Sequence, residues 1–423
     1  MSHPSTVDPP TGAYDAFAAR LVESGIITDP WVDGLPRFRE APLILDGPTG
    51  AALARIGREV AALYEEAVSL CHDSPELLDE FFQLSPAQKA MFLAGGPAWH
   101  GIARADVFRV TDGWAVAELN CDTPTGEPEA VVLGELAQRA NPDLVDPNVD
   151  LERHFTAMVE QVTRTLTGAP PATVGLVYPT EFSEDLSLVR LYKRWFDRAG
   201  WKTVLGSPYN LARDPQSGRA TLFGQPVDVV VRHYKTDWWG ERGSAWLDDE
   251  ILDAEPLAGP LEALLSAALD GKTAIVNPFG AVLPQNKRTM AFFWEHIHRF
   301  GVHAQEVIRE LIPVTSRLEA LHPEMLFAQR VDWVLKSDYG AEGDEVVLGR
   351  LTSEEEWRRA IALARPGRWV AQRYFDAERD RSGAVTNLGV FVVAGESAGL
   401  YARVHEGATD VYAASTPVLL AVS

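Results

Sequence analysis

A mixed α/β architecture spread over two or three domains is what this sequence predicts, on three observations. The first is length: 423 residues exceed what one ordinary domain holds. The second is a continuous apolar run at 174–178, VGLVY, followed by a stretch that buries Leu188, Leu191, Tyr192, Trp195 and Ala199 at helical spacing and stops at Gly200. Such a run is what a parallel strand covered on both faces looks like, and strand–helix alternation marks an α/β unit. The third is a hairpin within 101–127, where two strands of period two flank Thr111-Asp112-Gly113, with glycine at the turn position that calls for a left-handed backbone.

Hydrophobic residues make up 46% and charged residues 23%, a globular balance with ample material for a core. The 38 basic and 60 acidic residues leave a formal net charge of −22. That excludes the basic footprint of a nucleic-acid binder and, by long-range steering, favours a cationic co-substrate. Cys71 and Cys121 form neither a metal-spacing motif nor a disulfide framework, and Cys121 reads as a small buried hydrophobe. No apolar run approaches the roughly 20 residues of a membrane span, and the N-terminus lacks the pattern of a signal peptide. A cytoplasmic location is expected, with no membrane partner.

Residues 1–15 are rich in Pro, Ser and Thr, and disorder is expected there. Leu53, Ile56, Val60, Leu63, Ala67 and Leu70 recur every three or four residues, predicting a helix. A short helix is expected at 75–84. Ser85 as N-cap and Pro86 at the first helical position open the next. The hairpin follows, with strands at 103–110 and 114–121. Pairing across a three-residue loop at 111–113 sets Arg104 opposite Asn120 and Asp106 opposite Glu118. Residues i and i+2 share a face, so these four form one polar patch, while Ala105, Val107, Ala117 and Leu119 face a core. Two carboxylates and an amide oxygen suit Mg²⁺, a hard ion that also takes phosphate oxygens. The guanidinium suits a bidentate grip on phosphate or carboxylate. A salt-bridged face, Arg104 to Glu118 or Asp106, would use the same residues.

Helices are expected at 129–140 and 148–166, then a linker at 168–171. In the α/β unit Ser183 is placed as cap of its helix, and further strands fall at 201–205 and 227–231. The segment 232–242, RHYKTDWWGER, puts basic and aromatic residues at the C-terminal end of a strand, where open α/β sheets carry ligand loops. A surface loop closed by two tryptophans is the other reading. After a strand at 274–276, Gln285-Asn286-Lys287 opens a helix with Met290, Phe293, Trp294 and Ile297. In 331–349, VDWVLKSDYGAEGDEVVLG, a strand ends in Lys336 and a loop with Gly340 and Gly343 leads to the next strand. Glycines let backbone amides approach phosphates, and a lysine at the loop's root adds a point charge. No Walker motif occurs, and a hairpin with an acidic turn is the alternative. A helix at 354–364 and strands at 368–375, 387–393 and 399–404 complete the chain. Arg403 points from the last strand, where an edge-strand charge is the alternative.

Arg-x-Asp on one strand, then Glu-x-Asn on the next followed by Cys-Asp-Thr-Pro-Thr, resembles the metal-binding hairpin of the glutathionylspermidine synthase family, which are circularly permuted ATP-grasp ligases. Five blocks agree in order and spacing over about residues 100–423: RAD, ELNCDTPT, QNK, LKSDYGAEGDEVVLG and WVAQRYF. The resemblance implies ATP and Mg²⁺ as cofactors. It implies that Asp106, Glu118 and Asn120 hold the metal and that Arg104 faces the transferring phosphoryl group. Lys287 matches a phosphate-contacting lysine, and Lys336 would touch the α- and β-phosphates under a lid containing Gly340 and Gly343. Gln372, in a Val370–Ala371 wall, would read adenine, and Arg403 would lie near the γ-phosphate. Two lysines brought to one place repel unless an anion lies between them, and polyphosphate is the expected anion. The implied organisation is a helical region plus metal hairpin at 1–168, an α/β substrate domain at 169–275, and a nucleotide-binding region at 276–423 with its lid at about 314–372. The segment 232–242 departs from the family's aromatic-rich segment. The chain has no counterpart of the amidase domain of some members, and 1–100 shows no clear glutathione-site match.

The implied activity is an ATP-dependent carboxylate–amine ligase working through an acyl phosphate on small-molecule substrates, by positioning and charge neutralisation. One alternative is an ATP-grasp ligase joining an amino acid or peptide to a different amine. Another is a nucleotide-binding protein without turnover, distinguished by binding without substrate-dependent ADP release. A third is a phosphotransferase, which would accumulate a stable phosphorylated product.

Overall fold

The computed structural model describes residues 11–181, 183–241, 257–340, 346–364, 366–405 and 412–422. Its centre is a five-stranded antiparallel sheet in the order Ala414–Thr416, Glu396–His405, Val385–Val393, Ile102–Val110, Gly113–Asn120. The helix Gly47–Asp73, capped by Asp46 accepting the Thr49 N–H, lies across one face. It buries Leu53, Ile56, Val60 and Ala67 in one core with Ala105, Val107, Val390 and Val392. The approach is so close that a Cβ on Gly57 would sit 2.8 Å from Val390 Cγ1.

The hairpin pairs Arg104 with Asn120 and Asp106 with Glu118, as expected, but by a different route. Val110 stands opposite Gly113, so the turn is one residue shorter than expected, and an irregularity between Asp106 and Val107 restores the register. Ala117 is the extra residue of that bulge, and a bulge re-aims the side chains beside it. Val116 therefore takes the core position expected for Ala117 and is fully buried.

The parallel sheet runs Ala274–Val276, Val229–Arg232, Thr173–Val177, Lys202–Gly206. The helix Leu186–Arg198 packs on it through Leu188, Leu191, Tyr192 and Trp195, with Phe155 stacked on Tyr192 at 4.6 Å. It begins three residues after Ser183. Asp185 stands at its cap position without a side-chain cap bond, because its carboxylate faces His233 at 3.1 Å.

A third body is the antiparallel sheet Thr315–Arg317, Trp369–Arg373, Trp333–Ser337, Val346–Leu348. Its own small core joins Leu318, Leu326, Trp333, Leu335, Trp357 and Ala371. The helix Glu354–Leu363 covers it, opened by a Ser353–Glu356 capping box.

Four expectations are corrected. The helix Thr11–Glu23 begins inside the stretch 1–15 expected to be disordered and is anchored beyond it by buried Phe17 and Leu21. Val418–Ala421 forms a sheet with Leu43–Leu45 and Leu144–Val145. Ala414–Thr416 pairs with Glu396–His405, so the strand of Arg403 has a neighbour on both sides and is not an edge. Finally, the helix expected from residue 285 starts at Arg288 and runs to Glu295, after a separate helical turn Val282–Gln285, with Asn286 extended between them and its side chain accepting the Arg288 N–H. Among the described residues no helix is long and apolar enough to cross a membrane.

Candidate active site

The polar face of the central sheet gathers residues from four strands. Arg104 grips Asp106 with both ends of its fork, Nε to Oδ1 at 2.7 Å and Nη2 to Oδ2 at 3.1 Å. Its remaining nitrogen, Nη1, donates to the Thr125 carbonyl at 2.6 Å, and the Tyr401 ring lies 5.6 Å from the guanidinium. From the far side Arg403 Nη2 reaches Asp106 Oδ2 at 3.5 Å. Asp106 is thus 2% exposed yet held by two guanidiniums. The salt-bridged face, one of the two readings of this patch, exists for Arg104 and Asp106, while Glu118 is engaged elsewhere. Strand spacing supports the close packing: Gly389 is paired with Asp106, and a Cβ there would meet Arg104 Cδ at 2.7 Å.

Glu118 faces two lysines from two different bodies. Lys287, between the two short helices, places Nζ 3.6 Å from Glu118 Oε2 and also donates to the Gly340 carbonyl. Lys336, in the strand Trp333–Ser337, donates to the Ala117 carbonyl at 3.2 Å. That carbonyl is the bulge residue's, so the extra residue in the hairpin gives the ammonium its acceptor. Burial alone would raise the Glu118 carboxyl, but Lys287 and Lys336, with the Asn120 amide, hold it at about 2. Burial lowers the Lys336 ammonium and Lys287 lowers it further, so that it stands at about 8 although Glu118 pulls upward. The anion between the two lysines is therefore Glu118 itself, which corrects the expectation that only a polyphosphate could stand there. Asn120 Nδ2 donates to Glu118 Oε1 at 3.2 Å. Tyr64, Glu118, Asn286, Lys287 and Met290 line a narrow recess beside this pair.

Several residues that fix the site carried no role in the sequence reading. Asn277 Oδ1 accepts the Gly101 and Ile102 N–H groups, and its Nδ2 donates to the Ile102 and Asp122 carbonyls. This ties the end of the parallel sheet to the base of the hairpin. Gln285 Oε1 accepts the Cys121 and Asp122 N–H groups. Asp122 makes a buried ion pair with Arg232 at 2.5 Å and accepts the Thr236 N–H at 2.6 Å. The only signals were an Asn-Pro turn after a strand and an acid in a threonine-rich loop. The segment from Arg232 enters the short helix Thr236–Glu241, and Lys235 Nζ donates to the Tyr339 carbonyl at 3.1 Å. It therefore reaches the root of the glycine loop. Cys121 is fully buried, and burial holds its thiol well above the usual range.

Gly340 lies at that root, its N–H bonded to Ser337 Oγ at 3.0 Å. Gly343 lies outside the described residues. Gln372 is buried in the sheet of Thr315–Arg317, Trp369–Arg373, Trp333–Ser337 and Val346–Leu348, with Nε2 3.1 Å from Thr315 Oγ1 and 3.5 Å from Met290 Sδ; its side chain is directed to the helix Arg288–Glu295.

Among the described residues no group of three His, Cys, Asp or Glu side chains could hold a metal ion. The donors in place are two carboxylates and amide oxygens, an all-oxygen set of the kind a hard divalent cation takes. Glu118 Oε2 meets only an ammonium at 3.6 Å, and Asn387 Oδ1 is buried without a partner. These residues fit such an ion.

A family model described as glutathionylspermidine synthase preATP-grasp matches residues 98–420. No curated protein matches the sequence. Among solved structures, the chain is similar to a glutathione synthetase-like effector from Globodera pallida in apo form, with a TM-score of 0.61 and 15% identity over 98% of each chain. It is also similar to a putative gamma-glutamylcysteine synthetase from Methylobacillus flagellatus KT, with a TM-score of 0.50 and 13% identity over 89% of each chain. At these identities the likeness is one of fold.

Proposed function

Because the chain belongs to the glutathionylspermidine synthase family over residues 98–420, a membership that supports a ligase-type function, we propose that it is an ATP-dependent ligase joining a carboxylate to an amine through an acyl phosphate. The observation that carries this reading is the convergence of Lys287 from the core and Lys336 from the lid on Glu118, beside Arg104, Arg403 and Asp106. Four cationic side chains face two carboxylates here, a local positive surplus in a chain of net charge −22. A solvated surface of this protein would carry the opposite sign, so the surplus suits a polyanion.

The chemistry follows from those positions. A substrate carboxylate oxygen attacks the γ-phosphorus of ATP, the bond to the bridging oxygen breaks, and ADP leaves. The amine nitrogen then attacks the acyl carbon, loses a proton and expels orthophosphate, leaving an amide. Lys287 and Lys336 neutralise phosphate charge, and Lys336, mounted on the lid, brings that body down with the nucleotide. Arg104 and Arg403 hold the anionic oxygens of the transferring group in line. Magnesium, held by Asp106, Glu118 and Asn120, would supply further charge neutralisation on the phosphate oxygens. Gly340, at the root of the glycine loop, would lie beside the phosphates, and Gln372 would read the base. In this reading 1–168 carries the metal hairpin, 169–275 binds substrate and 276–423 binds nucleotide.

The test is a screen of carboxylate and amine pairs for ADP release, with mass spectrometry of the products. ADP release that needs both partners, with a product short of one water, supports the ligase. A stable phosphorylated carboxylate would mark a phosphotransferase, and nucleotide binding without ADP release from any pair would mark a protein without turnover.

A further inference from the structure

Asn387 lies in the strand Val385–Val393, between the strand that carries Arg403 and the one that carries Asp106. It stands opposite Arg403 on one side and opposite Phe108 on the other, two residues from Asp106 and on the same face. The residue is 4% exposed. Its Nδ2 donates to Asp106 Oδ2 at 3.3 Å, and that bond fixes the sense of the amide, since turning it over would set Oδ1 against a carboxylate. Oδ1 is then left buried with no hydrogen-bond partner.

A buried carbonyl oxygen without a donor is costly and calls for an explanation. No donor of the described residues reaches it. Arg104 spends its fork on Asp106 and its third nitrogen on Thr125. Arg403 faces Asp106 Oδ2. Lys287 and Lys336 hold the Gly340 and Ala117 carbonyls. The other amide of the site, Asn120, has its oxygen 3.5 Å from Gln285 Nε2. Asn387 thus carries the amide oxygen left free at a cluster whose remaining ligands are hard oxygens, and a neutral amide oxygen is an ordinary ligand of a hard divalent ion.

We propose that Asn387 is a further oxygen donor to the divalent cation at Asp106, Glu118 and Asn120, its nitrogen orienting Asp106 while its oxygen faces the ion. The inference rests on the metal-site reading above, and the experiment separates the two. Mn²⁺ serves as probe, titrated into the intact chain with a saturating non-hydrolysable ATP analogue and followed by electron paramagnetic resonance of the free ion. N387L removes both amide functions. N387D keeps an oxygen of the same reach and deletes the donor, and its size preserves the packing. Losses at residues that hold or orient a metal ligand run to about 10–100-fold. N387L is expected to weaken Mn²⁺ in that range, as E118A is, while N387D, which keeps the oxygen and loses only the donor to Asp106, is expected to lose distinctly less than N387L. Parent-like Mn²⁺ affinity in folded N387L overturns the proposal. So does a loss in N387D equal to that in N387L, which would leave Asn387 only as a hydrogen-bond donor to Asp106. Parent-like affinity in E118A would overturn the metal site itself and the proposal with it.

Discussion

Lys336 is a buried ammonium that donates to a backbone carbonyl, and that arrangement makes it a sensitive reporter of a bound anion. Replacing it by Met keeps the apolar stem that packs in the lid strand, so the fold should survive. Nucleotide affinity should fall by about 1.5–3 kcal/mol, the scale of a lost charge-assisted hydrogen bond, as read by calorimetric titration. The pH dependence follows from the same side chain. Burial favours its neutral form and sets it at about 8 in the free protein; a bound polyanion favours the charged form. Affinity should therefore be full below pH 8 and decline as the pH rises through it, with proton uptake on binding, and K336M should lose most of that slope between pH 7 and 9. Glu118 offers a second test. Ligand binding to the native state adds RT ln(1 + [L]/Kd) to stability. In E118A the magnesium-dependent part of the thermal shift with ATP should disappear. An unchanged shift in the folded variant would remove Glu118 from the metal site.

At the scale of elements, the hairpin shows what alternation can and cannot reveal. The facing pairs Arg104–Asn120 and Asp106–Glu118 were legible because period two and a glycine-containing turn fix them. The bulge at Ala117 was not, because a tighter turn plus one extra residue yields the same distant pairs as a longer turn. Only the structure shows that Val116 faces the core and that the bulge carbonyl meets Lys336. Asn277 and Gln285 were illegible for another reason: their bonds to the hairpin span well over a hundred residues, and no local pattern announces such partners. In the third sheet, Gly349 turns the corner after Val346–Leu348, where a Cβ would lie 2.1 Å from the Arg330 carbonyl oxygen. That oxygen belongs to backbone and cannot step aside. Gly349→Ala should cost about 1–3 kcal/mol, the range of overpacking, and should lower the unfolding temperature. A variant as stable as the parent would show that the corner is loose.

At the scale of the molecule, three hydrophobic cores among the described residues underlie the sheets, and the site lies where the bodies meet. The α/β unit and the order of the motif blocks were legible, since each is written in a contiguous stretch. The start of the helix Thr11–Glu23 was hidden behind a Pro-rich segment, and the strand Val418–Ala421 was missed because its partners lie at Leu43–Leu45 and Leu144–Val145. Asn277 is the joint between the parallel sheet and the hairpin. Asn277→Ala strips partners from four buried backbone groups, and its loss should exceed about 2 kcal/mol by chemical denaturation. A near-neutral result would mean that the joint is held elsewhere. The central claim is that core and lid close two lysines on one nucleotide, and the most direct measurement is calorimetric titration of the intact chain with a non-hydrolysable ATP analogue and Mg²⁺. One nucleotide per chain, with affinity reduced in both K287M and K336M, is the predicted result. No binding, or parent-like binding in both folded variants, would contradict it.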